Sequence, residues 1–470
     1  MAFLANIDTS AVLICVTAFL LLFWWLYSLK DLPPGPWGWP LLGYLPNLVI
    51  SVYRTGLGPA QLLSILAKRY GPVFSIKIGW KLVVFLNTFK YVKEGFNNPR
   101  LNDKLVPHIR KELGIDGGFM SSGNSWKEQR RFALKTLRSF GVGKRSFEAN
   151  ISEEVKCLAN EISSLEGKAF DPGHFTNNAA ANVICSVVFG KRFEYSDPSF
   201  KRLMVLLRGN TKNFGLYQAF SFGKYLQPSA YSAVKGTLNS SLQFIKDIVN
   251  DHKNVHVENE PNDFIDVYLD EMKKNKKLNH DSFLNDSNLI ATVRAFFSAG
   301  TDTVASTLRW AILYMMAFPK IQDRIHQELD SVVGRNRLPR LADEKDLPYT
   351  CATLLEAHRM GSVVSFGVQH VCGEDTTLGP YAIPKGTVVV TNLMAIHYNP
   401  ELWPNPDEFN PERFLDEDGV LQTKEELIPF RQVFACVPEN ILPRWSFTSS
   451  SLTCFTSLQS RNQLIRHLFH

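Results

Sequence analysis

Residues 299–303 read Ala299-Gly300-Thr301-Asp302-Thr303 and sit in the middle of an otherwise apolar stretch, 286–318. After Arg294 the apolar residues of that stretch fall on all sides of a helical repeat, the pattern of a helix buried all round. A glycine, two β-branched hydroxyls and a carboxylate are poor choices for such an interior, where each costs propensity or desolvation. Grouped together they can open the local hydrogen-bond ladder, because a threonine hydroxyl competes for the carbonyl one turn back. The stretch therefore predicts a long buried helix carrying a polar notch toward whatever lies beside it. The plain alternative is a kinked helix whose polar side chains are satisfied internally.

Outward from that helix, most of 122–360 is helical in pattern. Residues 263–272 form one amphipathic piece and 319–333 another, with Ile321, Ile325, Leu329 and Val332 on one face and Gly334 ending it. Residues 73–78 and 82–86, on either side of Gly79, read as a small hairpin of β-branched and aromatic residues. Short strands return at 381–383 and 387–391, across Pro384-Lys385-Gly386. The expected fold class is mostly α with a minor β lobe, not doubly wound α/β. No internal repeat appears, so one large domain or two fused lobes is the simplest organisation.

With 470 residues, 45% of them apolar, the chain has ample material for a large core. A net charge of +6 is mild, and the basic residues are not interleaved with aromatics in a stripe, so nothing points to nucleic acid. The seven cysteines (15, 157, 185, 351, 372, 436 and 454) make an odd set without C-x-x-C pairing, against a disulfide framework or zinc site and in keeping with a reducing compartment. Residues 11–27 are apolar apart from Thr17, and as a helix they span about 25 Å, enough for a thin bilayer. Trp24, Trp25 and Tyr27 would anchor one interface, with Lys30 after them and Asp8 before. A cleaved signal peptide is the alternative, but there is no basic n-region and no small-x-small cleavage site. The expected organisation is an anchor over 1–30, a stiff proline-rich hinge over 31–44 (Pro33-Pro34-Gly35-Pro36 and Pro40), a body over 45–430, and a separate tail over 431–470.

Three further motifs carry chemistry. Glu356 and Arg359 stand three apart on a helix, and Arg413 follows in the proline-bounded turn Pro411-Glu412-Arg413-Phe414. A buried Glu356 bridging both arginines would lock the two segments, since guanidinium forks meet carboxylates bidentately. Trp126 and Arg130, four apart, put an indole N–H and a guanidinium on one helical face, suited to an anionic group. An ordinary cation–π contact on a surface helix accounts for that pair equally.

Taken in order, the anchor, the proline hinge, Trp126-x-x-x-Arg130, Ala299 to Thr303, Glu356-x-x-Arg359 and Pro411 to Phe414 resemble the cytochrome P-450 family of haem-thiolate monooxygenases. Asn262 to Asp266 and Val188 to Phe193 look like its animal microsomal branch. The resemblance implies haem b, dioxygen, an NADPH-dependent reductase and a lipophilic substrate of the drug, steroid or fatty-acid class. It implies an endoplasmic reticulum membrane location with the body cytosolic. By the same resemblance Trp126 and Arg130 bind a haem propionate, Ala299 and Gly300 line the cofactor, and Asp302 and Thr303 deliver protons to iron-bound dioxygen. Glu356, Arg359 and Arg413 are structural. Phe296, Phe297, Val363 and Val364 line the substrate pocket with residues 214–225 as a lid, and Arg130, Arg131, Lys135 and Arg138 offer a docking face for an acidic reductase. Val304 departs from the family's usual hydroxyl.

The family's thiolate loop reads F-x-x-G-x-R-x-C-x-G-E. Here Phe430 is followed by Arg431-Gln432-Val433-Phe434-Ala435-Cys436-Val437-Pro438-Glu439. The glycines and the arginine are missing, and Cys436, the one cysteine near the ligand position, falls one residue early. Its apolar neighbours favour thiol over thiolate. Back-translated and read one base earlier, the tail permits glycine, arginine, cysteine, glycine and glutamate at the family's spacing, which points to a lost base or altered splice near Phe430. The expectation is a monooxygenase by family. The alternative is a catalytically inactive membrane-bound product that binds haem weakly or not at all.

Overall fold

The computed structural model describes residues 16–17, 31–39, 42–106, 108–114, 117–118, 121–141, 145–209 and 223–429. The anchor, apart from residues 16–17, most of the 214–225 lid, and the whole tail with Cys436 lie outside the described residues. Among the described residues no helix is long and apolar enough to cross a membrane. The chain divides into two compact units, one containing the residues up to Asn102 with His370–Asn392, the other Asp103–Gln369 with the residues from Leu393. Helices dominate and the strands are few, as the periodicities predict.

The first unit holds helices α1 (Leu45–Thr55), α2 (Pro59–Tyr70) and α3 (Phe89–Asn97) and a small sheet. Strands β1 (Val73–Ile78) and β2 (Lys81–Leu86) pair antiparallel, and Gly79 makes the turn at φ +61°, a conformation L side chains avoid. Strand β6 (Val388–Thr391) runs parallel to β2, and β3 (His370–Val371) pairs antiparallel with β6. Strands β4 (Thr376–Leu378) and β5 (Tyr381–Ile383) form a separate pair. The segments on either side of Pro384-Lys385-Gly386 thus belong to different sheets. The turn between them is pinned from outside, by Lys385 N–H on Asp375 Oδ1 (2.6 Å) and Gly386 N–H on the Cys372 carbonyl (2.8 Å), with Gly386 at φ +83°.

The proline hinge is not a free spacer. Ser75 of β1 donates its N–H to the Pro34 carbonyl and its hydroxyl to the Pro33 carbonyl, each at 2.7 Å. A Cβ at Gly35 would stand 1.7 Å from the Ser75 carbonyl oxygen, so only glycine lets the hinge lie there.

The larger unit is built of α4 (Gly123–Ser139), α5 (Arg145–Ser163), α6 (Pro172–Val188), α7 (Pro198–Gly209), α8 (Pro228–Val255), α9 (Phe264–Lys277), α10 (Asp286–Ala317), α11 (Pro319–Val332) and α12 (Pro348–Gly361). The Asn285 side chain caps α10 by accepting the Asn288 N–H, and the Asp263 side chain caps α9 by accepting the Asp266 N–H. Gly334, at φ +73°, closes α11 with its N–H on the Leu329 carbonyl, as its position predicts. Glu328 of α11 takes the Tyr349 and Thr350 N–H groups, both at 2.8 Å, and so caps α12.

The main core gathers Ala181, Cys185, Phe264, Leu289, Val293, Phe296 and Phe297, where α6 and α9 close on one side of α10. The all-round burial expected of α10 is therefore interrupted along one stripe. Ala295, Ser298, Ala299, Asp302 and Ser306 are accessible at i, i+3, i+4, i+7 and i+11, and the stripe continues through Leu313 and Met316. An apolar composition says that a helix has neighbours. It does not say which face the chain itself covers.

Candidate active site

The accessible face of α10 carries Ala299 and Asp302, with Thr303 at its margin. The Thr303 hydroxyl donates to the Ala299 carbonyl at 2.5 Å and the Thr307 hydroxyl to the Thr303 carbonyl at 3.0 Å. That is the competition for the previous turn's carbonyl that the sequence predicts, yet the helix runs unbroken through 299–303. Thr301 is buried with its Oγ1 unpartnered. Gly300 has a packing role: a Cβ there would lie 2.7 Å from Ile184 Cδ1, so its absence lets α6 approach α10.

The structure does not bring Phe296 or Phe297 to the accessible face. Phe296 meets Phe264 edge-on with ring centroids 4.9 Å apart, and Phe297 lies 5.1 Å from Phe189. Both rings belong to the core, Phe297 opposite the accessible stripe and Phe296 about a quarter-turn from it. Val363 and Val364, just after α12, are half-buried.

The Glu356 cluster forms as its spacing predicts. Arg359 donates Nε to Glu356 Oε2 (2.7 Å) and Nη2 to Oε1 (2.8 Å), and Arg413 donates Nε to Oε1 (3.0 Å). Glu356 and Arg359 are fully buried. The guanidinium groups also reach backbone: Arg359 Nη1 to the His397 carbonyl and Arg413 Nη1 to the Pro404 carbonyl, at 2.8 and 2.9 Å. Burial, ahead of the nearby Arg359 and His358, holds His397 down at about 3, so its ring is neutral and its Nε2 accepts the Ile428 N–H at 3.3 Å. The cluster thereby fixes the chain up to the residues that precede Phe430.

On α4 the Arg130 guanidinium stands over the Trp126 ring at 5.2 Å, the cation–π contact raised as an alternative. That contact does not use the N–H groups. Trp126 Nε1 and Arg130 Nε are both buried and have no hydrogen-bond partner. Two orphaned donors, one of them charged, on adjacent turns fit a carboxylate such as a haem propionate. Arg131, Lys135 and Arg138 are exposed one turn apart on α4, while Arg130 turns inward. Among the described residues Cys157, Cys185 and Cys351 have thiols pushed up by burial, a poor setting for a thiolate.

No sequence motif singles out Arg110 or Arg294. Arg294 is buried on α10 with its Nε unpartnered. The signal was present: neither arginine has a carboxylate three or four residues away in sequence.

Comparison with known proteins places this geometry. The profile of the Cytochrome P450 family matches residues 33–431. Cytochrome P450 2J1 of Oryctolagus cuniculus is 37% identical over 468 residues, covering 97% of this chain and 91% of that protein. Cytochrome P450 2J2 of Homo sapiens is 38% identical over 412 residues, covering 85% and 80%. Cytochrome P450 2U1 of Homo sapiens is 35% identical over 462 residues, covering 91% and 84%.

Proposed function

This chain belongs to the cytochrome P450 family of haem-dependent monooxygenases, and from that premise we propose a membrane-anchored enzyme whose competence turns on the residues after Phe430. Haem b, when bound, supplies reductive activation of dioxygen, so that one oxygen atom enters a substrate C–H bond and the other leaves as water. The two electrons come from NADPH through a reductase, for which exposed Arg131, Lys135 and Arg138 offer a docking face. Trp126 Nε1 and Arg130 Nε hold a haem propionate, and their buried, unpartnered state is the observation that carries the reading. Ala299, on the accessible face, borders the cofactor with its methyl, while Gly300 turns toward Ile184 of α6 and is left out of the cofactor's lining. Asp302 and the Thr303 hydroxyl stand where protons must be passed from the protein. A lipophilic substrate lies along Ala299, Val363 and Val364; Phe296 and Phe297, spent on the core, are left out of this lining. The body faces the cytosol from the endoplasmic reticulum membrane, held by residues 11–27.

The alternative is a chain without turnover, and the sequence Arg431–Glu439 favours it because the thiolate loop's glycines and arginine are absent. Haem content separates the two. The chain as given should purify with far less than one haem per protein. With the frame restored after Phe430, the reduced carbon-monoxide complex should show the red-shifted Soret band of thiolate ligation. A restored chain without that band sinks the monooxygenase reading. Stoichiometric haem in the chain as given, lost on Cys436→Ser, overturns the inactive alternative and makes Cys436 the ligand.

A further inference from the structure

The junction between α8 and α9 gathers two histidines and three carboxylates that the monooxygenase reading does not use. His252 lies in the last turn of α8 and His256 just past its end, while Asp263 caps α9 and Asp266 and Asp270 follow on its first turns. In sequence they read His-x-x-x-His and Asp-x-x-Asp-x-x-x-Asp, spacings that set each set of side chains on one helical face. Asp263 and Asp266 are buried, and the His252 side chain is 15% exposed, which leaves the cluster a way in from solvent. Among the described residues none of the three carboxylates pairs with a lysine or arginine; their ion pairs are to His252 and His256.

The hydrogen bonds hold these groups from behind and leave one contact to be filled. Asp263 Oδ1 accepts the Asp266 N–H at 2.9 Å, and Asp266 Oδ2 accepts the Asn262 N–H at 3.1 Å. His256 places Nδ1 3.3 Å from Asp266 Oδ1 and Nε2 2.8 Å from Asp270 Oδ1. His252 places Nδ1 2.8 Å from the Ile248 carbonyl, so the neutral ring keeps its proton there and turns the Nε2 lone pair on Asp263 Oδ2, also 2.8 Å away. A lone pair against a carboxylate repels until a proton or a cation stands between them. A ring fixed at Nδ1 by a backbone carbonyl, with Nε2 facing carboxylates, is oriented as a metal-binding histidine is. His252 Nε2 and one oxygen each of Asp263 and Asp266 lie within 4.8 Å of one another, close to the spread of ligands that stand about 2 Å from one ion. A Cβ at Gly190 would stand 3.2 Å from Asp263 Oδ2, so the missing side chain leaves that oxygen an open flank.

We propose that His252, Asp263 and Asp266 form a binding site for a divalent ion of the zinc type, with the Ile248 carbonyl and His256 supporting the ligands. One neutral imidazole and two carboxylates balance a divalent charge. A set of one nitrogen and two oxygens selects zinc over magnesium, which takes oxygens alone. The ion clamps the end of α8 to the start of α9. Phe264, next to Asp263, meets Phe296 of α10 edge-on, so the clamp bears on the main core. The site draws on no residue after Phe430 and is independent of turnover.

The test is zinc binding to the full chain in detergent, stripped with chelator, its accessible thiols alkylated, and titrated against a colorimetric zinc indicator. One zinc should bind with a Kd of about 10 µM or tighter, and excess magnesium should not displace it. His252→Gln and Asp266→Asn should each weaken binding by at least about 10–100-fold, while His280→Gln at the exposed end of α9 leaves it unchanged. Zinc should raise the unfolding midpoint of the parent and not of the two ligand variants. A parent without a saturable zinc site overturns the proposal, as does displacement by magnesium. So does zinc affinity that survives both ligand variants, which marks adventitious binding elsewhere. Zinc that binds without raising the midpoint overturns the clamp. Should either variant fail to fold, the parent decides by histidine modification: zinc should shield His252 from diethyl pyrocarbonate and leave His280 reactive. Equal reactivity of His252 with and without zinc sinks the site.

Discussion

Arg359 and Arg413 reach Glu356 through bonds of 2.7–3.0 Å and spend further N–H groups on backbone carbonyls, whereas Arg294, similarly buried, has an unpartnered Nε and a second arginine nearby. Both groups sit in the larger unit and both remove guanidinium from water. The difference lies in what each is complete without. The Glu356 cluster satisfies its charges internally and holds two chain segments together, which is structural work. Arg294 keeps a buried Nε without a hydrogen-bond partner.

That contrast fixes the sign of two mutations. Glu356→Ala leaves two buried cations without their carboxylate and should destabilise the larger unit by about 3–5 kcal/mol, read as insolubility or a sharp loss of protease resistance. An unchanged melting curve would show that Arg359 and Arg413 are no better compensated than Arg294. Arg294→Met should act in the opposite direction. Removing an unpaired buried charge should stabilise the ligand-free chain by roughly 1–3 kcal/mol, seen as a higher unfolding midpoint. Destabilisation there would mean that Arg294 is already paired, and the comparison would collapse.

A smaller effect sharpens the same point, because compensation can depend on a proton. His252 of α8 places Nδ1 2.8 Å from the Ile248 carbonyl and Nε2 2.8 Å from Asp263 Oδ2. Both neighbours accept, so only the protonated ring makes both bonds at once. Its pKa stands above the ordinary 6.5: burial alone would lower it, but the Asp263 hydrogen bond leads the contributions that outweigh burial. A raised value means the fold binds the proton more tightly than the unfolded chain. The contribution is thus complete below about pH 6.5 and lost as pH rises through the raised value. After solvent screening it should amount to less than about 1 kcal/mol. Urea midpoints measured from pH 5.5 to 8.5 should fall slightly with rising pH, and His252→Gln should flatten that slope. A slope of the opposite sign would exclude the imidazolium.

What was legible in the sequence follows from how local each cause is. Glu356, Arg359 and Arg413 could be read because i, i+3 spacing and a proline-bounded turn are local facts. Gly79 and Gly334 were readable for the same reason. The burial of α10 was not, since apolar residues on every side of a helix do not say which neighbours cover which face. Phe296 and Phe297 were therefore expected at a pocket, while the structure spends them against Phe264 and Phe189. The strand at 388–391 joined β2, some 300 residues earlier in the chain, through a pairing no local pattern encodes. Trp126 and Arg130 were found by spacing, but only the structure distinguishes a ring contact from two donors left without acceptors.

Gly300 and Ile184 meet where the helix bearing Asp302 and Thr303 crosses a helix that bears no chemistry. The pair works as a gauge block: the missing methyl at one position and the branched side chain at the other set the spacing of α6 and α10. A side chain gained at 300 has to be matched by one shortened at 184, so the two positions are coupled and neither is free to vary alone. The height at which Ala299 and Thr303 are presented is thus inherited from α6, and a change on that silent helix would be felt as a change in reactivity.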